Sequence, residues 1–424
     1  MNYRKSRSAS LLSLGMFLGS LAAVFAKEYY VSTNGSIANS GLSINAPWSL
    51  GKLSYNANIP SNSTITVLPG VYNETNAQNT REGPGICSPY LTIKSQVKWG
   101  AILQNSMDDG LAALTNNVTI DGFVIRNAYN NGVFGSTSNL AVRNCWISYC
   151  GTNPASGEGP SGISDEPRAN NTLIENNLIE HIGNTTRSNF DHGLYIAGRN
   201  LTIRNNIIRY CVGAGIQLND QLQGGNGSTN VLIYNNLIYN NGQWGMYLSS
   251  GQSNSVSTTL LNNTVVGSGI ALAAGTLLPG ITYMNCSNNI LIAGVQTLHT
   301  SHSYSTNSVI NADYNIIAIT DNMPLGTHGI LANNAMFSNT NNGLYWLQSN
   351  SIARGAAFAT ACGPEDFFGN RQSSVTDMGA FQYSFPYGLD NRVLDPSPAL
   401  PDYWLDLTQL QAPGNVHEVP GSPR

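Results

Sequence analysis

The residues best suited to chemistry stand together at Asp191-His192-Gly193-Leu194-Tyr195. A carboxylate beside an imidazole can fix its tautomer or raise its pKa, and a phenol three positions on supplies a second proton carrier. Asp191, His192 and Tyr195 therefore form a candidate proton-transfer group. The bland alternative is that His192 caps a turn and Tyr195 is one surface aromatic among many. Other charges lie close in the chain: Glu158, Asp165, Glu166, Arg168, Arg187, Arg199 and Asp220. Asp165 or Glu166 with Asp191 would give a carboxylate pair for glycoside hydrolysis, its separation deciding the stereochemical outcome. The same oxygens would suit calcium, although their spacing matches no diagnostic loop. His299-Thr300-Ser301-His302 resembles a metal pair only superficially, since its Ser-rich surroundings hold no acid.

A repeat explains how these residues are positioned. An apolar pair, a polar doublet and a second apolar pair recur in Leu-Ile-Glu-Asn-Asn-Leu-Ile (173–179), Thr-Ile-Arg-Asn-Asn-Ile-Ile (202–208) and Leu-Ile-Tyr-Asn-Asn-Leu-Ile (232–238). Looser copies stand at 141–147, 259–265 and 285–291. Their first asparagines, Asn144, Asn176, Asn205, Asn235, Asn262 and Asn288, are spaced by 32, 29, 30, 27 and 26 residues. A period in this range marks stacked repeats, each burying its apolar side against its neighbours. The runs are too short and too β-branched for helices. Asparagine tolerates a left-handed corner, and stacked amides can bond up a column.

The register sorts the charges. Asp121, Arg143, Glu175 and Arg204 share one column on successive turns; Arg126, Ser148, Glu180 and Arg209 share another. Alternating signs give these seven charges a structural explanation on the outer face. The eight that remain between residues 117 and 270 fall on three consecutive turns, and residues 221–312 contain no Asp, Glu, Lys or Arg. A glycine then marks one strand of each turn: Gly132, Gly162, Gly193, Gly215, Gly245 and Gly269. The next residue should point inward and the one after it outward. The outward column reads Phe134, Ser164, Tyr195, Gln217, Tyr247 and Ala271. Glu166 and Asn219 share that face, and Asp191-His192 and Gln243-Trp244 stand where the strands begin. Loops 151–161 and 183–190 would wall this face into a groove. Aromatic rings stack on the C–H surfaces of sugars while amides and carboxylates bond hydroxyls, so the groove suits a polysaccharide. Glu166, Gln217, Asn219, Trp244 and Tyr247 are its candidate substrate-binding residues.

The Asn-doublet repeat resembles the right-handed parallel β-helix of the pectate-lyase-like superfamily. Thr64-Ile65-Thr66-Val67-Leu68-Pro69-Gly70-Val71-Tyr72 resembles the opening segment of many exported members, whose Leu-Pro-Gly-x-Tyr turn leads into the first full coil. Residues 363–370 and 377–381 resemble the closing turn of bacterial members. The resemblance implies an all-β, single-stranded parallel β-helix with an N-terminal cap, placed over Trp48 to Ile59 as a short helix. It also implies β-elimination on a uronate-containing glycan, with His192 as base, Tyr195 as acid or base, and Arg168 or Arg187 neutralising the carboxylate. No activity family is matched: the last lysine is Lys98, and Asp191-His192-Gly193 covers only a fragment of the polygalacturonase signature. Alternatives from other classes are a hydrolase using an Asp/Glu pair and a non-catalytic, adhesin-like glycan-binding protein.

Composition sets the compartment. Arg4, Lys5 and Arg7, then an apolar stretch from Leu11 to Phe25, then Val24-Phe25-Ala26, read as a signal peptide over 1–26. Its removal takes the formal net charge from −4 to −7, an acidity unsuited to nucleic acid. The apolar stretch is short for a membrane span. A secreted or periplasmic monomer is expected, with one β-helix domain over 27–383 and a Pro-rich tail over 384–424. The register places Cys150 and Cys211 two turns apart, about 9.6 Å, beyond disulfide reach. With Cys145 they read as small buried hydrophobes. Cys87, Cys286 and Cys362 stay open.

Overall fold

A computed structural model describes residues 27–53, 59–73, 85–104, 108–151, 159–184, 190–218, 227–250, 255–276, 280–300, 308–340, 344–361, 365–368 and 376–383. The expected signal peptide (1–26) and Pro-rich tail (384–424) lie outside the described residues. Among these residues, successive strands deal themselves in turn onto three parallel sheets of 11, 9 and 11 strands. The chain is a parallel β-helix. Its interior is one continuous apolar core running from Tyr29 and Val31 to Met323.

The two asparagines of each doublet have different tasks. The first turns the corner in the left-handed region, with φ between 52° and 60° at Asn144, Asn176, Asn205, Asn235, Asn262 and Asn288. The second is buried and donates its amide to the next turn's amide oxygen. Asn177, Asn206, Asn236, Asn263, Asn289 and Asn315 are linked in this way by Nδ2–Oδ1 bonds of 3.0 Å. Cys145 heads this ladder, its amide bonded to Asn177 Oδ1 at 2.9 Å.

The charge columns pair as their alternation requires. Arg143 Nε meets Asp121 Oδ2 at 3.0 Å and Arg204 meets Glu175 at 2.5 Å. Arg209 meets Glu180 at 2.6 Å and also donates to the Tyr239 hydroxyl at 2.6 Å. The second column is not on the outer face, however. Glu180 and Arg209 are only 5% and 6% exposed. The described residues between Ile330 and Phe381 fold back over this flank. Phe337, Tyr345, Trp346, Phe367, Phe368 and Phe381 pack there with Leu178, Ile207, Leu237, Tyr239, Ile290 and Ile316 in a second apolar cluster. Corner asparagines fasten it: Asn205 donates to the Phe367 carbonyl at 3.2 Å, Asn235 to that of Glu365 at 2.6 Å, and Asn288 exchanges bonds with Phe358. The segment expected to close the coil thus braces its side.

The expected helix over Trp48 to Ile59 is, among the described residues, one 3-10 turn at Leu50–Lys52. Leu50 and Leu53 join the core and Trp48 stacks on Tyr29 at 4.3 Å; residues 54–58 lie outside the described residues. Cys87, Cys145, Cys150, Cys211 and Cys286 are free thiols, and Cys362 lies outside the described residues. Burial pushes the thiols of Cys145, Cys150 and Cys286 up to about 12, and that of Cys211 up as well.

Candidate functional site

The nine-stranded sheet carries the predicted column. Ser164 pairs with Tyr195, Tyr195 with Gln217, Gln217 with Tyr247, Tyr247 with Ala273 and Ala273 with His299. The register differs from expectation at one rung, where Ala273 replaces Ala271. The reason is that Ala271, not Gly269, takes the glycine position opposite Gly245. The glycines before it are required by close approach: a Cβ on Gly162, Gly193 or Gly215 would lie 2.6–2.7 Å from the next turn's carbonyl oxygen.

Two aromatic pairs stand on this face, built from the same aromatic-Gly-apolar-Tyr sequence. His192 stacks on Tyr195 with ring centroids 5.9 Å apart at 12°. Trp244 stacks on Tyr247 at 4.9 Å and 21°. Gln217 lies on the strand between them, so the two tyrosines are about 9.6 Å apart along the stack. His192, Tyr195, Gln217, Trp244 and Tyr247 are therefore brought together.

The electrostatics divide this group. His192 is buried, and its Nδ1 accepts the Ala214 amide N–H at 2.9 Å. Its side chain also hydrogen-bonds Gln217, yet burial dominates and pulls its pKa down to about 3. The ring is neutral and engaged at both nitrogens. Asp191 is fully buried; its Oδ2 accepts the Asn184 backbone N–H at 2.7 Å, tying Asn184 to the start of the strand His192–Arg199. Asp165, considered for a hydrolytic pair, faces the interior instead. It pairs with inward Ile196, is fully buried, and accepts the Thr172 hydroxyl at 2.5 Å.

Glu166 and Arg168 sit on a bulge in the strand Ser161–Asn170. Asp165 pairs with Ile196 and Ala169 with Gly198, so residues 166–168 oppose Ala197 alone. This backbone irregularity lies one strand from Tyr195, and bulges commonly re-aim side chains beside functional sites. Arg187, Asn219, Glu158 and Asp220 lie outside the described residues.

Two residues on this side of the molecule were not assigned to this face from the sequence. Phe190, 66% exposed, stands on the loop directly before Asp191. His299 continues the Tyr247 column, its Nδ1 held 3.0 Å from Gln296 Oε1. Position in the column, rather than motif spacing, would have found it; His302 lies outside the described residues. Among the described residues no group of three or more His, Cys, Asp or Glu could hold a metal ion. Among them, too, no helix is long and apolar enough to cross a membrane.

Comparison with known proteins fits this architecture. Residues 93–227 match the family described as "Right handed beta helix region". The fold is a right-handed parallel β-helix. The crystal structure of pectate lyase Pel9A is similar, with a TM-score of 0.57 and 14% identity over 85% of this chain and 98% of that one. The structure of XylC with xylose shares 10% identity over 84% of this chain and 98% of that one, with a TM-score of 0.45. The alginate lyase from Paenibacillus sp. str. FPU-7 shares 12% identity over 67% and 99%, with a TM-score of 0.36. No curated protein matches the chain.

Proposed function

We propose that this protein is an exported, carbohydrate-active β-helix enzyme that cleaves a uronate-containing polysaccharide by β-elimination. The observation that carries this reading is the pair of stacked aromatic couples, His192/Tyr195 and Trp244/Tyr247, flanking Gln217 on one sheet face. Tyr195, Trp244 and Tyr247 are partly exposed, with His192 buried beside Tyr195, and rings so placed cover the apolar faces of sugars while amide and phenol groups meet their oxygens. The similarity to a pectate lyase supports the fold on which such a groove is built.

In the proposed reaction the bond between hydrogen and the carbon next to the carboxyl breaks, a carbon–carbon double bond forms, and the glycosidic carbon–oxygen bond opens. The departing oxygen takes up a proton. Tyr195 is the proton carrier in this scheme. His192, first cast as the base, is better read as a positioning residue, because both its nitrogens are already bonded. Asp191 holds Asn184, and Arg168 or Arg187 neutralises the substrate carboxylate. Calcium remains a candidate aid to that neutralisation.

The appearance of an unsaturated uronate in the ultraviolet, on a panel of acidic polysaccharides, tests the assignment directly. Tyr195→Phe should lower turnover at least about 100-fold, within the usual range for a proton-transfer group, at unchanged melting temperature. Saturated products would instead mark a hydrolase. A non-catalytic glycan-binding protein is the second reading, favoured by the shielding of Asp191 and the engaged His192 ring; binding without any cleavage would establish it. Export is tested by the secreted chain's first residue, expected to be Lys27.

A further inference from the structure

We infer that His192 sets the polarity of the groove: it locks the Gln217 amide so that its NH2 group faces the ligand, making this point a hydrogen-bond donor for a sugar carboxylate. The inference rests on the glycan-groove reading above and names the substituent which that groove recognises.

The logic begins with a group that has no choice. The Ala214 backbone N–H can only donate, so His192 Nδ1, 2.9 Å away, must accept. A neutral imidazole with an accepting Nδ1 carries its proton on Nε2. His192 is buried and neutral, so its bond to Gln217 runs from Nε2–H to the amide oxygen. The amide oxygen is thereby occupied, and Gln217 is left with its NH2 for the groove. A free glutamine could flip and offer either end; this one is committed.

The surroundings favour an acceptor-bearing ligand. Tyr195 and Tyr247 flank Gln217 on the adjoining strands, placing the amide between two ring platforms. Trp244 follows Ala214 in the neighbouring column, and its indole Nε1 is enclosed with no acceptor among the described residues. Residues 221–312 carry no Asp, Glu, Lys or Arg, so an anion meets no like charge from this stretch, and the committed Gln217 NH2 supplies the donor. A carboxylate on a pyranose ring supplies two acceptor oxygens beside a C–H face, the combination that the amide and the rings together recognise.

Full-length mature protein is titrated with oligogalacturonate, oligomannuronate and oligoguluronate, each in native and carboxyl-reduced form. At least one native oligomer should bind about tenfold or more tightly than its reduced partner, the range of a hydrogen bond to a charged group. Gln217→Glu should abolish or reverse that preference. His192→Phe should reduce it several-fold, read as the ratio of native to reduced affinity, so that any general loss of affinity or stability from the unpaired Ala214 N–H cancels. Equal binding of native and reduced forms overturns the inference and leaves the groove reading standing; no binding of either form overturns both. Nitrogen NMR of the wild-type His192 ring needs no variant: a proton on Nε2 at about pH 7 is expected, and a proton on Nδ1 or a charged ring overturns the inference.

Discussion

At the residue scale, burial has made His192 a stability sensor. Its pKa in the folded chain is about 3 against an ordinary value of 6.5. Between those values the unfolded chain binds the extra proton and the folded chain does not. The contribution of His192 to stability is therefore fully present above about pH 6.5 and is lost as the pH drops toward about 3, at a limiting slope of about 1.4 kcal/mol per unit. Thermal melts of wild type against His192→Phe should show a flatter acid limb in the variant. The two charge columns make a second residue-scale test. Removing Glu180 strands a buried guanidinium, so Glu180→Ala should cost about 3–5 kcal/mol. Asp121→Ala should cost no more than about 1 kcal/mol, because Arg143 is 40% exposed. Sign alternation identified both columns from sequence alone. It did not show which was covered, because the cover comes from residues more than a hundred positions away.

At the element scale, the repeat told where turns stack but not how closely. A Cβ on Gly193 would lie 2.5 Å from Ile208 Cγ2 and 2.6 Å from the Gly215 carbonyl, whereas one on Gly269 would meet only the Gln243 carbonyl at 3.4 Å. Gly193→Ala should lose about 1–3 kcal/mol in chemical denaturation, and Gly269→Ala less than about 0.5 kcal/mol. Spacing made these glycines look equivalent; the difference arises because Ala271 holds the column position in the later turn. The face carrying Tyr195, Gln217 and Tyr247 was legible for the same reason that the core was, since strand alternation fixes which residues point out. The state of His192 was not legible. It depends on the amide of Ala214, a neighbour in the stack with no side-chain signature, and the bulge at 166–168 likewise leaves no periodic mark.

At the scale of the whole molecule, the brace gives the solenoid a covered flank. Phe367 is 1% exposed within the second apolar cluster, and Phe367→Ala should cost about 3–5 kcal/mol and raise hydrogen exchange along residues 205–239 before the opposite sheet responds. The aromatic density of 337–381 was visible in the sequence, but its docking surface was not, because no repeat encodes a return across the stack.

The brace also sets a rule for growth. Solenoids lengthen by duplicating a coil, and any coil added between Asn205 and Asn288 would push apart the corners that grip Phe367, Glu365 and Phe358. A duplication ahead of Asn176 would leave these three anchors in register with one another. The N-terminal half of this chain is thus where evolution, or an engineer, has room to insert.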